Sequence, residues 1–439
     1  MSDASPRKVL VLGASGLIGR FVTDDLRSRG FKVVGAARAF SPAQKRSVDD
    51  HDMPIMAMDA NALAFLFADR DIDCVVNCLG VLQDGPGSDT SDVHRGFVER
   101  LIEAIRRTDR KLVLVHISMP GDASEDHTAF SRTKREAEQL IAASGLRYAI
   151  LRPGFVIAPA AYGGSAMLRA LAAFPFDLPE EEAATRFQPV AVQDIATTIA
   201  WLAEHGVPET GIVWDLMQPQ LATLGDVIDA FRIALGTAHI TRVRTPLFLI
   251  DLGAKLGDAT SWLGWMSPMR STAIAELRRG VRGDPSAWMA ATGINPMTLD
   301  QTVGRHPATI QDIWFARLFL IKALIIAALG VFWIASGFIA LFVSYDAAAG
   351  ILVAHKFPAW IVAPMTIGTS LMDMTIGCLI VLRRTSRWGL IFGIVASLGY
   401  MFGSAILAPD LWIEPLGALV KTGPAIVLML VALLMSDNR

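Results

Sequence analysis

Three glycines spaced three apart, Gly13, Gly16 and Gly19, stand in the stretch VLVLGASGLIGR, between a short apolar run and the start of a helical pattern. Each has its own mechanical use in holding a pyrophosphate. The first permits a sharp turn, the second lets backbone come up to the phosphates, and the third lets the next helix pack close to the strand. That helix points its unpaired amides and positive dipole end at the anion. Ser15, Leu17, Ile18 and Arg20 complete the stretch expected to line it. A strand before, a helix after and a second strand at 32–37 make dinucleotide binding the expected chemistry.

The residues that would hold the rest of such a ligand follow in order. Arg38 closes the second strand, about twenty residues past the loop, where an acidic residue would accept hydrogen bonds from a ribose 2′-hydroxyl. An arginine there accommodates a 2′-phosphate instead. With Arg20 near enough to help, NADP is expected in preference to NAD. Asp59, at the end of a strand expected over Ile55–Met58, is suited to hydrogen-bond an adenine amino group. Asn77 ends the next strand, and the turn Cys78-Leu79-Gly80 would line the cofactor. Cys74, Cys78 and Cys378 form no CxxC pair and read as small buried residues in a reducing compartment. No metal site is read.

These residues need a frame, and the chain supplies one. Strand signals at Val9–Leu12, Lys32–Ala37, Ile55–Met58, Asp73–Asn77, Lys111–Ile117 and Tyr148–Leu151 alternate with helical patterns at 21–27, 92–107 and 127–138. That alternation predicts a doubly wound parallel α/β sheet. The net charge of −2 gives no electrostatic case for nucleic acid. At 52% hydrophobic residues and a mean hydropathy of +0.42 the chain is too apolar for one ordinary soluble enzyme, and the excess is local. The opening residues, MSDASPRKVLVL, lack the apolar core and cleavage site of a secretory signal, so the N-terminal part is expected in the cytoplasm.

The set GASGLIGR, NCLG, Ser118, FSRTK, LRPGFVIAP and RFQPVAVQDIA resembles the short-chain dehydrogenase/reductase superfamily. Its extended and atypical branches are the most similar, among them NmrA-like proteins and the nucleotide-binding accessory subunit of respiratory complex I. The resemblance implies a Rossmann-type domain (1–216) with a small substrate-side subdomain (217–311). It implies that Ser118 and Lys134 are catalytic, that Lys134 also binds ribose, and that Pro153 and Gly154 wall the nicotinamide. The family's catalytic motif is Tyr-x-x-x-Lys; here the tyrosine position reads Phe130, which has no proton to give. His127, Ser131 and Tyr162 are the candidates for a substitute donor.

From Phe315 the composition changes abruptly. Four apolar stretches, Leu318–Val343, Pro358–Leu382, Trp388–Ala408 and Pro415–Met435, each have about the twenty residues a bilayer-spanning helix needs. Arg383, Arg384 and Arg387 between the second and third, against Lys356 alone between the first and second, put both ends and the arginine loop in the cytoplasm. Pro409–Glu414, between the third and fourth, is net acidic. Asp373 falls inside the second span, with Lys322 its expected partner. Phe248–Trp265, interrupted by Asp251, Lys255 and Asp258, is too charged to span; it reads first as an amphipathic core helix and second as a helix lying against a bilayer. The block 312–439 resembles the DoxX-like four-helix membrane domain found behind atypical short-chain dehydrogenases in bacteria. Some relatives of that domain are associated with quinone or thiol redox chemistry.

The expectation is therefore a multi-pass inner-membrane protein with a cytoplasmic NADP-binding domain. It would transfer hydride between the nicotinamide and a hydrophobic or quinone-like substrate. The alternative is a non-catalytic NADPH sensor or an assembly factor for a membrane complex.

Overall fold

Strands buried on both faces read as unbroken apolar runs, and those runs build the centre of the fold. The computed structural model describes residues 7–45, 47–85, 89–108, 110–265, 267–413 and 417–436. Seven parallel strands make one sheet: β1 (Lys8–Leu12), β2 (Lys32–Ala37), β3 (Asp50–Asp52), β4 (Cys74–Asn77), β5 (Val113–Ile117), β6 (Arg147–Pro153) and β7 (Ile212–Leu216). Their order is β7-β6-β5-β4-β1-β2-β3. Alternate residues face opposite sides. Val9, Val11, Val76, Val115 and Leu151 pack under α1 (Leu17–Ser28) and a helix at Val192–His205, through Val22, Leu26, Ile195 and Ile199. Leu10, Leu12, Val75, Leu114 and Ile150 pack under α2 (Ala60–Asp69), α3 (Phe97–Arg106) and α4 (Ala129–Ala142).

One strand lies elsewhere than its expected place. The strand expected over Ile55–Met58 is at Asp50–Asp52, paired with Gly35–Ala37, and Ile55–Ala57 forms a single 3₁₀ turn. The apolar residues that suggested a strand, Ile55, Met56 and Met58, instead pack into the core beneath α2. An edge strand needs no such run, so Asp-His-Asp serves. A third apolar cluster builds the subdomain beside the sheet. It joins Ile157, Leu168 and Phe187 to Leu224, Val227, Phe231 and Leu299, so it draws on chain from both sides of β7.

The segment carrying α4 is fixed by buried charge. Glu138 accepts a two-pronged hydrogen bond from Arg152 (2.8 and 2.6 Å) and a third from Arg135 (2.9 Å). Arg135 also holds Asp126 and the carbonyl of Gly121, and Arg279 closes on Asp126 at 2.7 Å. These bonds tie α4 to β6 and to the loop that follows β5.

The chain divides into two compact units, 1–256 with 268–316 and 257–267 with 317–439. Four helices in the C-terminal part are long and apolar enough to cross a membrane: Ile310–Val343, Ala359–Val381, Ser386–Leu407 and Leu419–Ser436. Glu414 and Pro415, in the expected third loop and fourth span, lie outside the described residues. Small residues let the spans approach; a Cβ on Gly337 would come within 2.2 Å of the Ser370 carbonyl oxygen. Asp373 is buried, but its partners are Tyr400 (OH donating to Oδ1, 2.8 Å) and Ser336 (Oγ, 3.4 Å). The expected partner, Lys322, donates to the carbonyl of Met435 at 2.6 Å. That carbonyl belongs to the last turn of its helix and has no partner within it, so Lys322 satisfies it. Phe248–Trp265 also departs from its first reading. The helix there, Leu247–Trp262, buries Ile250 and Ala254 but leaves Phe248, Leu252, Leu256 and Trp262 exposed.

Burial opposes ionisation of Glu138, but hydrogen bonds from Arg152 and the charges of Arg152 and Arg135 outweigh it and hold the carboxyl below its ordinary range. A carboxyl whose folded pKa is depressed adds stability above its unfolded value of about 4.3 and loses it as pH falls further. Glu138→Gln is therefore expected to cost about 3 kcal/mol at neutral pH, the low end for one partner removed from a buried ion pair, because Arg152 stays a quarter exposed. The variant should also flatten the acid limb of stability. Unfolding midpoints in detergent between pH 7 and 3 measure both effects.

Candidate nucleotide site

The glycine loop is locked before any ligand arrives. The amides of Gly13 and Ala14 both donate to the carbonyl of Ala36, at 2.8 and 3.1 Å, and the Gly16 amide donates back to Gly13 at 2.9 Å. Gly13 has φ +81°, a left-handed conformation that favours glycine. A Cβ on Gly19 would sit 2.2 Å from the Gly13 carbonyl oxygen, so the close packing of helix on loop permits no side chain there. α1 starts at Leu17 after an extended Gly16, with no side-chain cap. The amides of Leu17, Ile18 and Gly19 are thus the first-turn donors that a helix leaves unpaired. The loop lies at the C-terminal ends of β1 and β4, where the strand order reverses and open α/β sheets bind ligands.

Around the loop the expected residues divide. Arg38 follows β2 directly and is exposed, and Arg20 is half-buried on α1. The nearby acid, Asp52, is occupied by the Phe40 amide (2.8 Å) and Lys45 (3.1 Å), which lower its pKa. Gln44 was not foreseen: its side chain bridges the Ser41 amide and the Ser15 carbonyl, tying the segment after β2 to the glycine loop. Asp59 does not end a strand. It caps α2, its Oδ1 accepting the Ala62 amide at 2.8 Å, so the carboxylate expected at a strand end stands at a helix start.

Asn77 is buried, and its amide spans two groups. Nδ2 donates to His116 Nδ1 at 3.1 Å while Oδ1 accepts from Leu79, which shapes the turn to Gly80. A Cβ on Gly80 would stand 3.3 Å from Lys134 Nζ. Lys134 is buried to 4% exposure and donates to the carbonyls of Ile117 (2.9 Å) and Leu79 (3.2 Å). An ammonium has three donors, so one remains. Burial lowers its pKa to about 8. Ser118 is buried beside Glu138, yet its Oγ completes no hydrogen bond of acceptable geometry among the described residues. Gly154 donates to the Leu216 carbonyl, and a Cβ there would meet the Gln188 carbonyl at 2.4 Å, so backbone packing alone requires a glycine after Pro153.

Phe130 lies four residues before Lys134 on α4, hence on the same face. Its ring meets the edge of His94 at 5.6 Å. His94 is a site residue that nothing in the spacing indicated. Its Nε2 accepts the Val81 amide at 3.1 Å, which leaves the proton on Nδ1 to donate to Thr133 at 2.8 Å. Burial, with the neighbouring Lys134 charge, pushes its pKa down to about 2, so the ring stays neutral with both nitrogens engaged. Burial pushes the Cys78 thiol up to about 12. The substitute donors suggested by the sequence differ in burial and partners. His127 is exposed, Tyr162 is 61% exposed, and Ser131 completes the capping box of α4 with Thr128.

Residues 9–210 match the NAD dependent epimerase/dehydratase family, and residues 330–430 match the DoxX-like family. The chain joins a short-chain dehydrogenase/reductase-type domain to a DoxX-like domain. UDP-glucose 4-epimerase from Thermotoga maritima superposes with a TM-score of 0.51 at 15% identity, over 68% of this chain and 97% of that one. The dTDP-glucose 4,6-dehydratase of Bacillus anthracis, solved with NAD, gives 0.51 at 14% identity over 70% and 96%. An uncharacterized chloroplastic protein of Arabidopsis thaliana is 30% identical over 168 residues, 34% of this chain. The match spans 59% of that relative's length. The N-terminal domain is of the nicotinamide-nucleotide-binding type, and the four apolar helices with the DoxX-like match point to a membrane protein.

Lys134 provides a direct test of the cradle. Its folded pKa of about 8 lies below the unfolded value of about 10.4, so its charge opposes folding at neutral pH and stability rises as pH climbs from 8 toward 10. Lys134→Met should abolish that rise without lowering stability at pH 7, and should weaken nucleotide binding. Thermal melts from pH 7 to 10, with and without nucleotide, provide the measurement.

Proposed function

We propose that this protein binds NADPH in the glycine-loop cradle and passes hydride to a hydrophobic, quinone-like acceptor at the membrane. The observation that carries the reading is Phe130. Around it stand Gly19 against Gly13, the spare donor of Lys134 and the hydroxyl of Ser118 beside Glu138. The group that would protonate a simple carbonyl is missing, and the nearest ring, His94, has no free nitrogen. A nicotinamide supplies the hydride when bound. In this reading the first-turn amides of α1 and the glycine loop hold the pyrophosphate, Arg38 with Arg20 takes the 2′-phosphate, and Lys134 holds a ribose hydroxyl. Ser118 donates to the substrate oxygen, and Pro153 and Gly154 back the ring. Quinone reduction tolerates the loss of a positioned acid because the oxyanion left by hydride addition takes its proton from water.

The sugar-nucleotide epimerases and dehydratases that share the fold suggest a different substrate, but Phe130 favours the quinone-like acceptor over them. The same residue favours one further reading, a non-catalytic NADPH-responsive module that senses nucleotide or assists a membrane complex. The reading of topology is an inner-membrane protein with a cytoplasmic nucleotide domain and cytoplasmic termini, supported by Arg383, Arg384 and Arg387 against the lone Lys356.

Rapid mixing of the reconstituted protein with NADPH tests the reading. We expect turnover with a short-chain quinone and negligible turnover with aldehydes or ketones, since a positioned general acid is worth about 10²–10⁴-fold. Phe130→Tyr should raise ketone reduction. Robust ketone reduction by the wild type would contradict the proposal, and binding without turnover on any acceptor would select the module.

A further inference from the structure

The helix Leu247–Trp262 carries its apolar residues on the wrong side for a core helix. Phe248, Leu252 and Leu256 recur every fourth residue and are 66%, 48% and 58% exposed; Leu249 flanks them at 44%. At 100° per residue these side chains, with the exposed Ala259, form one outward stripe. Ile250, Ala254 and Gly257 face inward. Charged residues flank the stripe formed by Phe248, Leu252 and Leu256. Asp251, which pairs with Arg278, and Asp258 lie to one side of it, and Lys255 stands at its margin.

The chain at the end of this helix packs against the second span. Gly257–Ser267 belongs to the same compact unit as most of the spanning helices. The Arg383 amide donates to the Leu263 carbonyl at 2.9 Å, and Trp265 Nε1–H donates to the Val381 carbonyl at 2.7 Å. The Arg383 guanidinium lies over the Trp265 ring at 5.1 Å. Val381 is the last residue of the second span, and Arg383 is the first charge beyond it. The helix therefore ends at the level where the apolar span gives way to charge, which is the bilayer surface. Trp262 there is 91% exposed, as a tryptophan is where it meets headgroups. Arg383, Arg384 and Arg387 at the same end attract anionic lipid.

We propose that Leu247–Trp262 is an interfacial helix that lies along the bilayer surface with its Phe248–Leu252–Leu256 stripe in the acyl boundary and Trp262 at the stripe's edge. Its length of 16 residues and its charged margin suit a helix that lies on a membrane rather than crossing it. The inference stands apart from the nucleotide reading and needs only that the spans occupy a membrane.

Nitroxide labels on the full-length protein in lipid nanodiscs test it. Leu252→Cys and Leu256→Cys would each be labelled in a Cys378→Ala background. Ile233→Cys, at an exposed position on the helix Leu224–Leu235, serves as the aqueous control. Power saturation should show the two stripe labels several-fold more accessible to oxygen relative to a water-soluble nickel chelate than the control label. Chelate accessibility equal to that of Ile233→Cys would overturn the proposal. Shielding from both reagents would overturn it too, because it would mean that a second copy or another protein covers the stripe.

Discussion

The approach of α1 to the glycine loop constrains the nucleotide-binding end of this protein more tightly than any other contact. With the Gly13 carbonyl oxygen 2.2 Å from where a Cβ of residue 19 would sit, helix and loop can meet only through backbone. That approach is set by the parallel sheet. β1 and β4 are adjacent, their chain connections leave toward opposite faces, and the loop is held to β2 by two amides on the Ala36 carbonyl. The unpaired amides at the start of α1 are thereby aimed into the crevice at the end of the sheet. A site for an anion is thus preformed, with little ordering left for binding to impose.

Opposite that anion site, α4 presents Lys134 and Phe130, and different forces place them. Lys134 is held by two main-chain carbonyls at the ends of β4 and β5. The helix that carries it is held by the Glu138–Arg152–Arg135 cluster. Phe130 needs no polar partner and rests on the edge of a neutral histidine. The result is a helix face that offers a lysine donor and, one turn before it, a ring with no hydroxyl. Phe130 leaves the lysine of the cradle in place and offers no proton of its own.

How far the sequence could be read depended on how local the controlling physics was. The buried strands and the four spans are visible because each is a continuous apolar run, and the glycine loop because its constraint lies within seven residues. The edge strand Asp50–Asp52 pairs on one side only and carries no apolar signature, so the core residues Ile55, Met56 and Met58 drew the assignment downstream. Asp59 was placed at a strand end because a helix cap and a strand-end carboxylate are the same residue type. His94, Gln44 and the Tyr400 partner of Asp373 depend on contacts between segments 13 to 39 residues apart, which no spacing rule encodes. The outward stripe of Leu247–Trp262 has the period of a core helix, and periodicity alone does not say which way a face points.

The central claim is that the cradle holds NADPH with Arg38 on the 2′-phosphate, and titration calorimetry on the reconstituted full-length protein tests it most directly. The account predicts tighter binding of NADPH than of NADH. It also predicts that Arg38→Ala weakens NADPH by about tenfold or more while leaving NADH unchanged, as loss of a charge-assisted phosphate contact worth about 1.5–3 kcal/mol requires. Wild-type protein that binds NADH at least as tightly as NADPH, or binds neither, would contradict it.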